Sequence, residues 1–142
     1  MLAGLVAGCK TPCYEESFSI PFDAAKVAQL SHESYKVAWN VEYWARMNLY
    51  YAPFHPKRLD WEAVLYMRRL REQVPWIALD IEKNPATARC SSKKSYDIVA
   101  FDAKMLKRRY QPASFRPSTD ANIEKLLSLL DQISAYYEPK KH

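Results

Sequence analysis

Residues 118–137 read Ser-Thr-Asp-Ala-Asn-Ile-Glu-Lys-Leu-Leu-Ser-Leu-Leu-Asp-Gln-Ile-Ser-Ala-Tyr-Tyr. Ile123, Leu126, Leu127, Leu130, Ile133 and Tyr137 recur at helical spacing and form one apolar stripe. Ser118 opens the segment, Asp120 places an acid in its first turn to suit the helix dipole, and Pro139 closes it. An amphipathic helix of this kind must bury its stripe against other elements, so the rest of the chain should supply further helices.

It does. Asp23 predicts the cap of a first helix from Ala24 to about Tyr51, with Val27, Leu30, Val37, Ala38, Val41, Trp44 and Ala45 on one face and Pro53 and Pro56 beyond its end. Asp60 predicts the cap of a second, from Trp61 to about Val74, with Trp61, Val64, Leu65, Met67 and Leu70 inward and Pro75 as its stop. Residues 76–81 fit either a short helix or turn, or the alternation of a strand, and a lone strand has no partner here. Residues 83–95 read as a polar loop. A third helix is expected from about Ser95 to Tyr110, with Tyr96, Val99, Ala103, Leu106 and Tyr110 in its stripe and Ile98, Phe101 and Met105 widening it. The expected fold is all-α, a bundle of about four amphipathic helices.

The whole composition agrees. The chain has 142 residues, the size of one domain. It is 49% hydrophobic and 26% charged, too apolar for a disordered segment. Both glycines, Gly4 and Gly8, lie in the first eight residues. The absence of glycine beyond them argues against an all-β fold with many tight turns and removes both the P-loop and the dinucleotide fingerprint. No apolar run reaches the ~20 residues that span a bilayer.

The run Leu5-Val6-Ala7-Gly8-Cys9 resembles the lipobox of bacterial lipoprotein precursors. The resemblance covers five residues and implies that Cys9 is acylated and becomes the mature N-terminus. A signal segment usually runs to 15–30 residues with a positive start; here eight uncharged residues precede Cys9, so residues 1–8 would be the remnant of such a segment. The plain alternative is a short apolar tail. On the lipoprotein reading residues 9–22 form a lipidated, extended spacer, residues 23–138 the helical domain and residues 139–142 a basic tail. Cys13 and Cys90 are then left as an even pair, and export would put them where disulfides persist. Their bridge would tie the N-terminal arm to the domain. The alternative is two free thiols in a cytosolic protein.

Catalytic signatures are lacking. His32 has no second histidine one turn on, His55 lies between Phe54 and Pro56, and His142 is terminal. Surface or turn roles fit all three. Cys9 and Cys13 have no second pair at zinc spacing. Ser91 and Lys94 fit a Ser-x-x-Lys spacing without the motifs that accompany it in acyl-transfer enzymes. Glu15-Glu16 falls in the expected spacer, where no rigid element would hold catalytic geometry. No catalytic group, metal site or cofactor is therefore expected.

Ten tyrosines, five phenylalanines and four tryptophans point instead to packing and binding. Trp39, Tyr43, Met47 and Tyr50 give the first helix a second apolar face, with Phe54 of the following Pro53-Phe54-His55-Pro56 loop at its end, and this face is either core or a partner surface. The net charge is +5. Lys104, Lys107 and Arg108 form a basic face of the third helix, read first as a solvated face, then as a contact for anionic membrane, then for nucleic acid. The sequence thus predicts a small lipoprotein of the cell envelope, on the periplasmic side of the outer membrane, acting as a non-enzymatic binding or structural subunit. It would be held to the membrane by its lipid and to an envelope protein by the aromatic face. Two alternatives stand beside it: an immunity or exclusion lipoprotein that neutralises one protein, and a cytosolic basic helical protein that binds nucleic acid.

Overall fold

The computed structural model describes residues 13–51 and 60–141, with Tyr51 described by its backbone alone. Among these residues four α-helices follow one another: α1 (Ala24–Tyr51), α2 (Trp61–Lys83), α3 (Ala88–Arg109) and α4 (Pro117–Ala135). Single 3-10 turns cover Glu15–Ser17 and Pro85–Thr87. The described residues hold no strand, only an isolated antiparallel bridge between Phe18 and Pro139. The architecture is the all-α bundle that the periodicity predicts.

Asp23 caps α1 by accepting the Lys26 amide at 3.0 Å, and Asp60 caps α2 by accepting the Glu62 amide at 2.9 Å. Pro117 opens α4 at a position where its missing N–H has no intrahelical partner to lose. The stripe of α4 is buried as expected, from Ile123 to Ile133, with Tyr137 beyond the helix end.

Three expectations about the helices are corrected. Pro75 does not stop α2, which runs on to Lys83. A proline inside a helix removes one amide bond and crowds the carbonyl four residues back. Here Val74, Ile77, Ala78 and Ile81 extend the buried stripe past it, and the Ser31 hydroxyl of α1 donates to the Val74 carbonyl at 2.8 Å. α3 starts at Ala88 rather than Ser95. Its first inward positions are Ala88, Arg89 and Ser92, which carry no apolar stripe to read. Trp44, Trp61, Leu65, Ile98 and Phe101, expected inward, are exposed.

α1 packs against both α2 and α4, and α2 packs against α3, while α3 and α4 meet less closely. The core between them includes Val27, Val41, Met67, Leu70, Ile77, Leu106, Ile123, Leu126 and Ile133. The turn between α3 and α4 needs one residue with positive φ, and Ala113 takes it at 67° where glycine would be unstrained.

From Cys13 onward the segment expected as a spacer is docked on the bundle. Cys13 is bridged to Cys90 of α3, with Cα atoms 5.6 Å apart. Phe18 is buried. The Ser19 amide donates to the Glu138 carbonyl at 2.9 Å and the Lys140 amide to the Ser17 carbonyl at 2.8 Å, so the arm and the C-terminal tail pair with each other.

Candidate functional site

The aromatic face of α1 is at the surface. Trp39 is 44% and Tyr50 74% exposed, while Tyr43 and Met47 are half-buried. The Arg71 guanidinium of α2 lies 4.9 Å from the centre of the Trp39 ring, and Arg116, just before α4, lies at the same distance from Trp44. Tyr43 meets Trp44 edge to face at 5.1 Å. Cations stacked on these rings keep the indoles ordered while leaving part of each in contact with solvent. Phe54 lies outside the described residues, as do Cys9 and His55.

The basic face lines a groove of about 410 Å³ along the looser seam between α3 and α4. Lys104, Lys107 and Arg108 stand on its α3 side, over Val99, Ala103, Leu130 and Ile133. Lys107 reaches across to Asp131 of α4 at 2.9 Å. Lys104 and Arg108 have no charged partner among the described residues.

A second concavity, of about 670 Å³, lies where the arm meets the start of α3. Arg89 forms part of its wall and is only 2% exposed. Its guanidinium sits 4.5 Å from the Phe18 ring centre and 5.1 Å from that of Phe22. Glu15 brings a carboxylate oxygen to 3.2 Å from Nε, close enough for an ion pair but without hydrogen-bond alignment. Nearby, Ser92 and Tyr137 share a hydrogen bond of 2.6 Å, and Tyr137 stacks on Tyr96 with ring centres 4.2 Å apart. Burial pushes the Tyr137 hydroxyl up to about 12, against the opposing effect of Ser92.

Asp102 of α3 is fully buried and lies 3.0 Å from Nε of Arg69 on α2. Burial raises its carboxyl above the ordinary value, and the guanidinium pulls it the other way. Tyr110 is raised too, by burial and by the nearby Asp120 carboxyl. These groups tie helices together and do not converge on one cleft. Ser91 is hydrogen-bonded to Thr87 at 2.8 Å. Among the described residues no cluster of His, Cys, Asp or Glu is arranged to hold a metal ion. No described helix is long and apolar enough to cross a membrane.

One surface escaped the sequence reading. Trp61, Leu65, Arg68, Glu72, Trp76 and Leu79 are all exposed and share the outer side of α2, at steps of three and four residues. Ile98 and Phe101 are exposed on neighbouring α3. The available signal was that α2 carries two apolar stripes, and spacing alone does not say which one turns inward.

Neither a family model, nor a curated protein, nor a solved structure matches this chain.

Proposed function

We propose that the chain is a small envelope lipoprotein, acylated at Cys9, whose helical domain is a non-enzymatic binding subunit on the periplasmic side of the outer membrane. The observation that carries this reading is the Cys13–Cys90 bridge. Disulfides persist in oxidising compartments and are rare in the cytosol. The bridge also uses two of the three cysteines and leaves over the one that follows Leu5-Val6-Ala7-Gly8. Exposed aromatic side chains on α1, α2 and α3 are the usual material of binding surfaces. Trp39, Tyr43, Met47 and Tyr50 remain the proposed contact for an envelope protein.

The test is the non-reduced intact mass of the protein isolated from its native host. The expected result is loss of everything before Cys9, a lipid adduct on Cys9 and two hydrogens missing at Cys13–Cys90. An unmodified chain retaining Met1 and three free thiols would overturn the reading and bring the nucleic-acid alternative forward.

A further inference from the structure

We infer that the outer face of the α2–α3 pair lies on an anionic bilayer surface. The inference deepens the lipoprotein reading and rests on it for the position of the anchor.

The first observation is a line of residues along α3. Cys90, Lys94, Asp97, Phe101, Lys104 and Arg108 follow each other at steps of four and three, so they form one stripe. All but the half-buried Cys90 are exposed. From Cys90 to Phe101 is close to three turns, or about 16 Å along the helix. The disulfide therefore lies at one end of an exposed stripe whose other members are three cations, one acid and a phenylalanine. Asp97 is neutralised by Lys93 at 2.6 Å, which leaves the stripe positive.

The second observation is the apolar neighbour. The exposed stripe of α2 carries Trp61, Leu65, Trp76 and Leu79, with the Arg68–Glu72 ion pair in the middle. Trp61 is 64%, Phe101 52% and Trp76 46% exposed. Ser95 of α3 donates a hydrogen bond to Asp80 of α2, and Arg69 pairs with Asp102. Trp76 lies one turn from Asp80, and Ile98 one turn from Ser95, so the two apolar positions flank one seam. Tryptophan and aliphatic side chains beside unneutralised lysine and arginine are the composition of an interfacial membrane contact.

The third observation is chain length. Cys9 precedes Cys13 by four residues, which span at most about 14 Å. The bridge fixes Cys13 to Cys90. An acylated Cys9 thus holds the start of the α3 stripe beside the headgroups. That proximity favours a bilayer over a protein as the occupant of this face.

The test uses the full chain with Cys9→Ser, so that binding reports on the face alone. Vesicles of phosphatidylcholine are compared with vesicles of phosphatidylcholine and phosphatidylglycerol. Co-sedimentation with the anionic vesicles and a blue shift of tryptophan emission are expected. Removing three cations together, Lys94→Gln, Lys104→Gln and Arg108→Gln, should weaken binding about a hundredfold, at about fivefold each. Trp76→Ser with Phe101→Ser should weaken it at least about tenfold, and Lys125→Gln on α4 should not change it. All are surface positions, and circular dichroism checks that each variant keeps its helices. No partition into anionic vesicles overturns the inference, as does equal binding by every variant. Capture of a protein by the chain, lost on the same substitutions and without vesicle binding, also overturns it and gives the face to that partner. The intact mass judges the lipoprotein reading separately: a lipidated Cys9 beside a non-binding face leaves the anchor standing and this inference refuted.

Discussion

Breaking the Cys13–Cys90 bridge should cost the domain stability without costing it its fold. The bridge closes a loop of 77 residues. On the chain-entropy model a loop of that length restricts the unfolded state by about 15 cal/mol/K, or about 4.5 kcal/mol at 25 °C. A domain of this size unfolds with an entropy near 0.3 kcal/mol/K, so the expected fall in Tm is about 15 °C. The assay is thermal unfolding by circular dichroism of Cys13→Ser/Cys90→Ser against the parent chain. The helical signal at low temperature should be unchanged, because the packing of α1 with α2 and α4, and of α2 with α3, does not pass through the arm. A fall under about 5 °C would refute the argument that the bridge restricts a long loop. A variant already unfolded at room temperature would refute the claim that the four helices hold their core without it.

Other expectations concern buried polar groups and one strained turn. Arg69→Met should destabilise by about 3 kcal/mol, because it leaves the Asp102 carboxyl without its partner in the core, whereas Asp102→Asn should be near neutral or stabilising at pH 7; denaturant unfolding of both variants decides it. Burial raises the Asp102 carboxyl in the folded state, so its contribution to stability is fully present below the ordinary carboxylate value of 3.8 and is lost as pH rises through its folded value. Asp102→Asn should remove that fall from a stability profile taken across acid pH. Tyr137 should ionise near 12 rather than 10, and stability should fall between those values, since the unfolded chain releases the proton first; ultraviolet titration of Tyr137→Phe against the parent measures it. Ala113→Gly should stabilise by about 1 kcal/mol, since the residue sits at φ 67°, and an unchanged Tm would disprove strain there.

The parts of this fold legible from sequence were those in which inward residues are apolar and the caps are local. α1 begins where Asp23 says, and the stripe of α4 is the observed one. α3 is longer than its spacing predicts because its first inward positions are Ala88, Arg89 and Ser92, with an arginine where an apolar stripe would continue. Arg89 is tolerated inside only because Phe18, Phe22 and Glu15, some 70 residues upstream in the sequence, close over it. No local pattern encodes that. Pro75 misled for the opposite reason: the local rule against proline is real, but its cost is smaller than the benefit of burying Ile77, Ala78 and Ile81 on the same stripe. The surface was the least legible part. Trp61 and Leu65 fit the inward spacing of α2 as well as Val64 and Met67 do, and only the positions of α1 and α3 decide between the two stripes.

Docking of the arm changes what a lipid anchor would do. A flexible spacer of thirteen residues, from Lys10 to Phe22, would hold the domain at a root-mean-square distance of about 20 Å from Cys9. With the chain fixed from Cys13, four residues remain, and the distance drops to about 11 Å. Effective concentration falls roughly as the −3/2 power of linker length, so with Cys9 acylated the docked arm would present the α2–α3 face to the headgroups about sixfold more strongly than the free spacer would. On the lipoprotein reading the bridge would turn an anchor into an orienting device, because it enters the domain at Cys90, at the end of the stripe that carries Lys94, Phe101 and Arg108. If Cys9 is acylated as proposed, Trp76 in the membrane-bound parent should be quenched by brominated lipid more strongly than in the lipidated Cys13→Ser/Cys90→Ser variant. Equal quenching would show that the face finds the bilayer by its own affinity and that the disulfide serves stability alone.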